Sequence, residues 1–124
     1  MTNFRTLQVW IRSKALAVQI CTMVRSFPRD ELYGITSQMR RAAVSIPANI
    51  AEGSRRGHVA EFVQFLRIAL GSLGELETYL EISRDLGYVA DISHETKECA
   101  EIGMMLNGLL QKYRNSSSVK AREL

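Results

Sequence analysis

Val59, Phe62, Leu66, Ala69, Leu73, Leu76 and Leu80 recur three and four residues apart, and that repeat limits the segment to one kind of structure. It is the spacing of one face of a helix. Carried from about Val59 to Asp85, such a helix is ~40 Å long. A second, patchier row of Phe65, Ile68, Tyr79 and Ile82 makes it more apolar than a single groove can bury. Gly71, Ser72 and Gly74 lower helix propensity at its middle, and the same small residues predict the close approach of another backbone.

The segment from Leu7 to Val24 carries the same signature twice. One row is Leu7, Trp10, Ile11, Val18, Cys21 and Val24; the other is Val9, Leu16, Ile20, Met23 and Phe27. Only Gln8, Arg12, Gln19, Thr22 and Ser26 remain as a polar strip. One partner surface does not bury both rows, so this helix is either central to its own bundle or part of a contact between subunits. Phe27-Pro28 ends it, because proline disfavours helix at the residue before it. A second helix is expected from Pro28 to Asp30 onward, with Leu32, Ile35, Met39, Ala42, Ala43, Ile46 and Ile50 as its apolar face. That spacing persists on both sides of Pro47, which predicts a kink there and not an end.

Gly53 to Gly57 reads as the next loop, two glycines enclosing small and basic residues. Leu86-Gly87 reads as a helix end, and Asp91 or Ser93 as the cap of a fourth helix running to about Tyr113. Ile92, Cys99, Ile102, Leu106, Leu109 and Tyr113 lie on its apolar face, with Glu95, Glu98 and Glu101 mostly off it. The expected architecture is all-α: an antiparallel up-down four-helix bundle over residues 1–114, assembling into a homo-oligomer, with a polar and disordered tail over 115–124.

With 46% apolar and 23% charged residues, 124 residues suffice for one globular domain. Neither a leader peptide nor an apolar run of membrane-spanning length is evident, so the chain reads as cytoplasmic. Cys21 and Cys99 stand alone and read as small buried hydrophobes, without support for a zinc site or a disulfide framework. Charge is divided along the chain: residues 1–72 hold ten Lys/Arg against four acids, net +6, and residues 73–124 hold six against nine, net −3. Such a division can produce a one-signed surface in the folded molecule.

Gln38, Arg41, Ser45, Asn49 and Glu52 follow one another at helical spacing, and Arg55 and Arg56 come next. Guanidinium forks, amides and hydroxyls suit phosphate and sugar contacts, but the same row also suits a polar network between helices or subunits. Arg40, Arg41, Arg55 and Arg56, helped by His58, are the candidate nucleic-acid-binding residues; Gln38, Ser45, Asn49 and Glu52 are the candidate network. Aromatic residues do not interleave with the basic ones along the sequence, and no RNA-binding signature is present. For catalysis the inventory is thin. His58 and His94 fall in different segments, and Ser45, Ser72 and Glu75 have no base visibly placed beside a nucleophile. No enzyme activity, metal or cofactor is expected. The alternative to nucleic-acid binding is a protein-interaction module in which the arginines are structural.

Three strings then point to a family: Phe4-x-x-Leu7-x-Val9-Trp10; Phe27-Pro28-x-x-Glu31-x-Tyr33-Gly34-x-x-x-Gln38; and Arg40-Arg41-Ala42-x-x-Ser45-Ile46-x-x-Asn49-Ile50-Ala51-Glu52-Gly53. Together with Phe62-x-x-Phe65-Leu66-x-Ile68-Ala69-x-Gly71-Ser72-x-x-Glu75-Leu76-Glu77, they resemble the four-helix-bundle proteins encoded in bacterial ribosomal RNA intervening sequences. That family is in turn similar to the accessory variability protein of diversity-generating retroelements. The wider resemblance implies a barrel-like homopentamer with a positive surface that binds nucleic acid and assists a reverse transcriptase.

Overall fold

The computed structural model describes the backbone of residues 3–123 and the side-chain surroundings of residues 3–114. Four helices make up the chain: α1 (Gln8–Met23), α2 (Ile35–Arg55), α3 (Val59–Asp85) and α4 (Ser93–Glu123). Short 3-10 turns at Phe4–Thr6, Val24–Ser26 and Arg29–Glu31 fill the links, and there is no strand among the described residues. The backbone of α4 continues past Tyr113, and the tail expected over 115–124 lies outside the residues whose side-chain surroundings are described.

Neighbouring helices run antiparallel. Ser45 meets Ser72 and Met39 meets Ser83 across α2 and α3; Phe62 meets Tyr113 across α3 and α4. The core is a single cluster to which each helix contributes: Leu16 and Ile20 from α1, Met39, Ile46 and Ile50 from α2, Leu66, Leu73, Leu76 and Leu80 from α3, and Cys99, Ile102 and Leu106 from α4. Each such side chain contributes roughly 1.5–3 kcal/mol relative to its exposed state, so these rows hold the bundle together.

The 59–80 repeat lies inward as expected, with only Val59 partly exposed, while Ile68 and Ile82 of the second row stay exposed. In α1 the two rows are apportioned differently. Val9, Leu16 and Ile20 face the core, whereas Ile11 and Val18 face outward, Val18 at 61% exposure. Periodicity reports that a face is apolar; it does not say which of two apolar faces has a partner.

Helix α2 starts later than the sequence suggests. Phe27 is extended ahead of Pro28, and Arg29–Glu31 forms only a 3-10 turn. Gly34, at φ −104° and ψ −120°, then turns the chain into the helix. The Glu31 carboxylate folds over Gly34, where a Cβ would come within 2.9 Å of it, and accepts a 2.9 Å hydrogen bond from Tyr88 Oη. That bond fastens the link to the far end of the hairpin and holds the Tyr88 phenol above its ordinary pKa, because ionisation would set two anions side by side. Pro47 is buried inside α2, and the helix continues through it.

Gly53 does not begin a loop. It lies in the last turns of α2, buried against Phe62 and Phe65 of α3, and the turn itself is Arg56–His58, with Gly57 at φ +78°. Of Gly71, Ser72 and Gly74, to which a close approach is assigned, only Ser72 is buried against α2, and the closest glycine contact occurs at Gly53. Nothing lies within 4 Å of a Cβ built at Gly71 or Gly74. Gly87, at φ +80°, closes α3 with Tyr88 N–H donating to the Ser83 carbonyl at 2.9 Å. The Asp91 carboxylate accepts from Ser93 N–H and Oγ–H at 2.9 and 2.6 Å, which stabilises its charged form and lowers its pKa.

Glu95 departs from the sequence reading: it is buried at 7% exposure and not off the apolar face. Glu98 and Glu101 instead turn toward α1, where the Arg12 guanidinium donates to both. Those bonds raise the pKa of Arg12 and lower that of Glu101. Arg12 thus clamps the most sparingly packed pair of neighbouring helices, α1 and α4.

Candidate nucleic-acid interface

The antiparallel order decides where charge collects. Helix α2 ends, and α3 begins, at the end of the bundle where α1 starts and α4 carries Tyr113. Arg5, Arg55, Arg56, His58, Lys112 and Arg114 gather there, all exposed. At the opposite end Asp30, Glu31, Glu81, Asp85, Asp91 and Glu95 outnumber Arg25, Arg29, Arg84 and Lys97. The charge division along the sequence thus becomes a division along the long axis. Because α4 runs back, Asp91 and Glu95 join one pole and Lys112 and Arg114 the other.

At the basic end the cations are held by aromatic rings. The Phe4 ring has the Arg5 guanidinium 4.6 Å and the Arg55 guanidinium 5.4 Å from its centroid. Arg56 lies 5.3 Å from the Phe65 centroid and pairs with Glu52 at 3.4 Å, both half-exposed. Trp10 packs edge-on against Phe4 and carries Lys14 Nζ over its ring, 5.1 Å from the centroid. Tertiary packing brings Phe4 onto the end of α2, so aromatic and basic residues that are apart in the sequence meet here. These rings are covered by the protein's own cations, Phe4 being buried, so they orient guanidinium groups and do not offer a bare stacking platform.

Of the five candidate binding residues, Arg55, Arg56 and His58 share this end. His58 precedes α3, its carbonyl accepting from Phe62 N–H at 3.0 Å. Arg40 and Arg41 do not join them. Arg41 is fourteen residues before Arg55 on a continuous helix, which is ~21 Å. The sequence pattern does not single out Arg5, Lys112 and Arg114: Arg5 precedes α1 and the other two lie within α4, and they become neighbours of Arg55 and Arg56 only once the helices are folded back on one another.

The candidate network Gln38, Ser45, Asn49 and Glu52 forms a flank of α2 beside α3. Asn49 Nδ2 donates to the Ser45 carbonyl and to Ser45 Oγ, each at 2.8 Å, and Ser45 Oγ lies 2.8 Å from Ser72 Oγ. Glu52 belongs to the basic end through Arg56. Next to the serine pair, Gln38, Arg41, Ala42, Ser45, Ser72 and Glu75 line an open groove of about 410 Å³. The three residues singled out for chemistry, Ser45, Ser72 and Glu75, therefore line one groove, the two serines in contact. No histidine lines the groove; His58 lies at the basic end, and His94 lines a separate groove between α1 and α4. Burial pushes the Cys99 thiol up to about 12, which keeps it protonated and inert.

Residues 5–108 match the family described as 23S rRNA-intervening sequence protein. The chain belongs to that family. A search of curated proteins gives no match. Within this intervening-sequence protein, the most specific string of the resemblance, Ser45 to Gly53, now has a physical reading: Ile46 and Ile50 fill the core, Asn49 holds Ser45, Glu52 pairs with Arg56, and Gly53 admits Phe62 and Phe65.

Proposed function

We propose that this intervening-sequence protein is a non-enzymatic, self-associating bundle of the cytoplasm that binds nucleic acid by its phosphate backbone, as an accessory or scaffold. The observation that carries this reading is the basic pole, where Arg5 ahead of α1, Arg55 and Arg56 at the end of α2, His58 at the start of α3, and Lys112 and Arg114 of α4 come together and outnumber Glu52 and Glu61. Two of these arginines are braced on Phe4, which lowers the conformational freedom lost on binding. Support for self-association comes from the exposed Ile11, Val18, Ile68, Ile82 and Met104. The wider resemblance implies a pentamer and a reverse transcriptase as the assisted enzyme.

The test is fluorescence polarisation with structured RNA and duplex DNA at low salt. Contact with about four phosphates gives a slope of log affinity against log salt near −3 to −4. Arg55→Glu with Arg56→Glu abolishes binding at unchanged helicity, whereas Arg40→Glu leaves most of it. Absence of binding at low salt refutes the reading. Light scattering reads the subunit count, and a monomer at high concentration refutes the self-association. The outward Ile11 beside an apolar groove of about 320 Å³ between α1 and α4 favours a protein-interaction module as the second reading. A monomer that ignores nucleic acid and holds one protein partner there would select it.

A further inference from the structure

Resting on the nucleic-acid reading, we infer that the groove of Gln38, Arg41, Ser45, Ser72 and Glu75 is a ribose site that makes the protein prefer RNA to DNA. Its chemistry is mixed in a way that a phosphate surface alone does not require. Arg41 offers donors and has no ion-pair partner among the described residues. Glu75 offers a carboxylate whose described contact is a long 3.5 Å bond from Tyr79 Oη. The serine pair adds one donor. Asn49 already donates to Ser45 Oγ, and the two hydroxyls share one bond, so of their two protons one remains for another acceptor.

A DNA backbone presents acceptors only: phosphate oxygens and ring oxygens. Against it Arg41 and the serines are satisfied, but Glu75 meets nothing except like charge. An RNA backbone adds one donor per nucleotide, the 2′-hydroxyl, and that is the group a carboxylate beside a phosphate-binding arginine can accept from. Acidic residues recognise ribose hydroxyls in the same way at dinucleotide sites. A volume of about 410 Å³ is in the range of small-ligand clefts and admits a ribose with its phosphate. The groove lies on the flank of α2 that continues through Asn49 and Glu52 to Arg56, so one single strand held at the basic pole can run along α2 and α3 into it.

The experiment compares a fluorescein-labelled uridine 12-mer with the deoxyuridine 12-mer, which differ only in the 2′-hydroxyl, by polarisation at low salt. A charge-assisted hydrogen bond predicts RNA bound about tenfold tighter or more. Glu75→Ala, an exposed position whose helicity is checked by circular dichroism, abolishes the preference while leaving DNA binding equal or stronger; Glu75→Gln, which keeps an acceptor, retains part of it. Arg55→Glu with Arg56→Glu weakens both strands together. Equal affinities in the unaltered protein, or a preference that survives Glu75→Ala, overturn the ribose site and leave the basic pole standing. Failure of both strands to bind overturns the nucleic-acid reading itself.

Discussion

Replacing Gly53 by alanine builds a carbon 2.7 Å from Phe65 Cβ, 3.1 Å from Phe62 Cδ1 and 3.4 Å from Phe62 Cα. Two of those atoms belong to or adjoin the α3 backbone and cannot swing aside, so α2 and α3 must part by about 0.7–1 Å to restore ordinary carbon contact. Overpacking of this kind costs ~1–3 kcal/mol, and alanine's better helix propensity returns up to ~1 kcal/mol. The clash is at the severe end, and a net loss of about 1–2 kcal/mol is expected. Gly71→Ala is the matched control: the same chemical change in the middle of the neighbouring helix, with nothing within 4 Å of the new carbon. There only the propensity term acts, a gain of about 0.5–1 kcal/mol. Urea unfolding followed by circular dichroism at 222 nm, at one fixed protein concentration because association adds to apparent stability, reads both. The thermal midpoints should separate in opposite directions, by roughly 3–6 °C per kcal/mol for a chain of this size. A Gly53→Ala protein as stable as its parent would refute the packing argument. Loss of stability in Gly71→Ala that deepens with protein concentration would show that a second copy, not solvent, occupies that side of α3.

Three further outcomes follow from single contacts. Thr36 is buried with its Oγ1 unpaired among the described residues, so Thr36→Val, nearly the same shape, should stabilise the bundle by about 1 kcal/mol; a loss in the same urea assay would mean the hydroxyl has a partner. Arg12→Ala should return the Glu101 carboxyl, observed by NMR titration, toward its ordinary value. Since Glu101 is held low in the folded state, its contribution to stability is present above the unfolded carboxyl pKa and is lost as pH falls through the folded value; the variant should show less of that acid dependence. For the thiols, Cys21 is partly exposed and Cys99 buried, so a thiol reagent should label Cys21 in the native protein and Cys99 only on unfolding. The Cys99 pKa is raised to about 12, so its contribution is full below the unfolded thiol pKa and is lost as pH rises through the alkaline range. Equal labelling rates at the two cysteines would contradict the buried placement.

The helices themselves were legible because each buries a face at the period of its own geometry. The 59–80 repeat, the halt at Phe27-Pro28 and the Gly87 cap are local rules, and each acts on neighbours within a turn. Gly53 reads as a loop glycine and Gly34 carries no local signal, for a related reason. A glycine states that a side chain is absent, and whether the space admits a turn, a carboxylate or a neighbouring helix depends on what packs there.

What the sequence determined, then, is an all-helical bundle with more apolar surface than one chain's core consumes, and an uneven distribution of charge. Folding alone decided that Val9, Leu16 and Ile20 of α1 face inward while Ile11 and Val18 face outward, because both rows satisfy the same period and only the position of α2 and α4 distinguishes them. It also decided that Arg5, Arg55 and Arg114 share a pole while Arg41 faces Ser72 and Glu75 across a groove. Sequence distance measures position along a helix axis; three reversals of direction turn that single coordinate into two poles and four seams, and the candidate sites exist only in the second description.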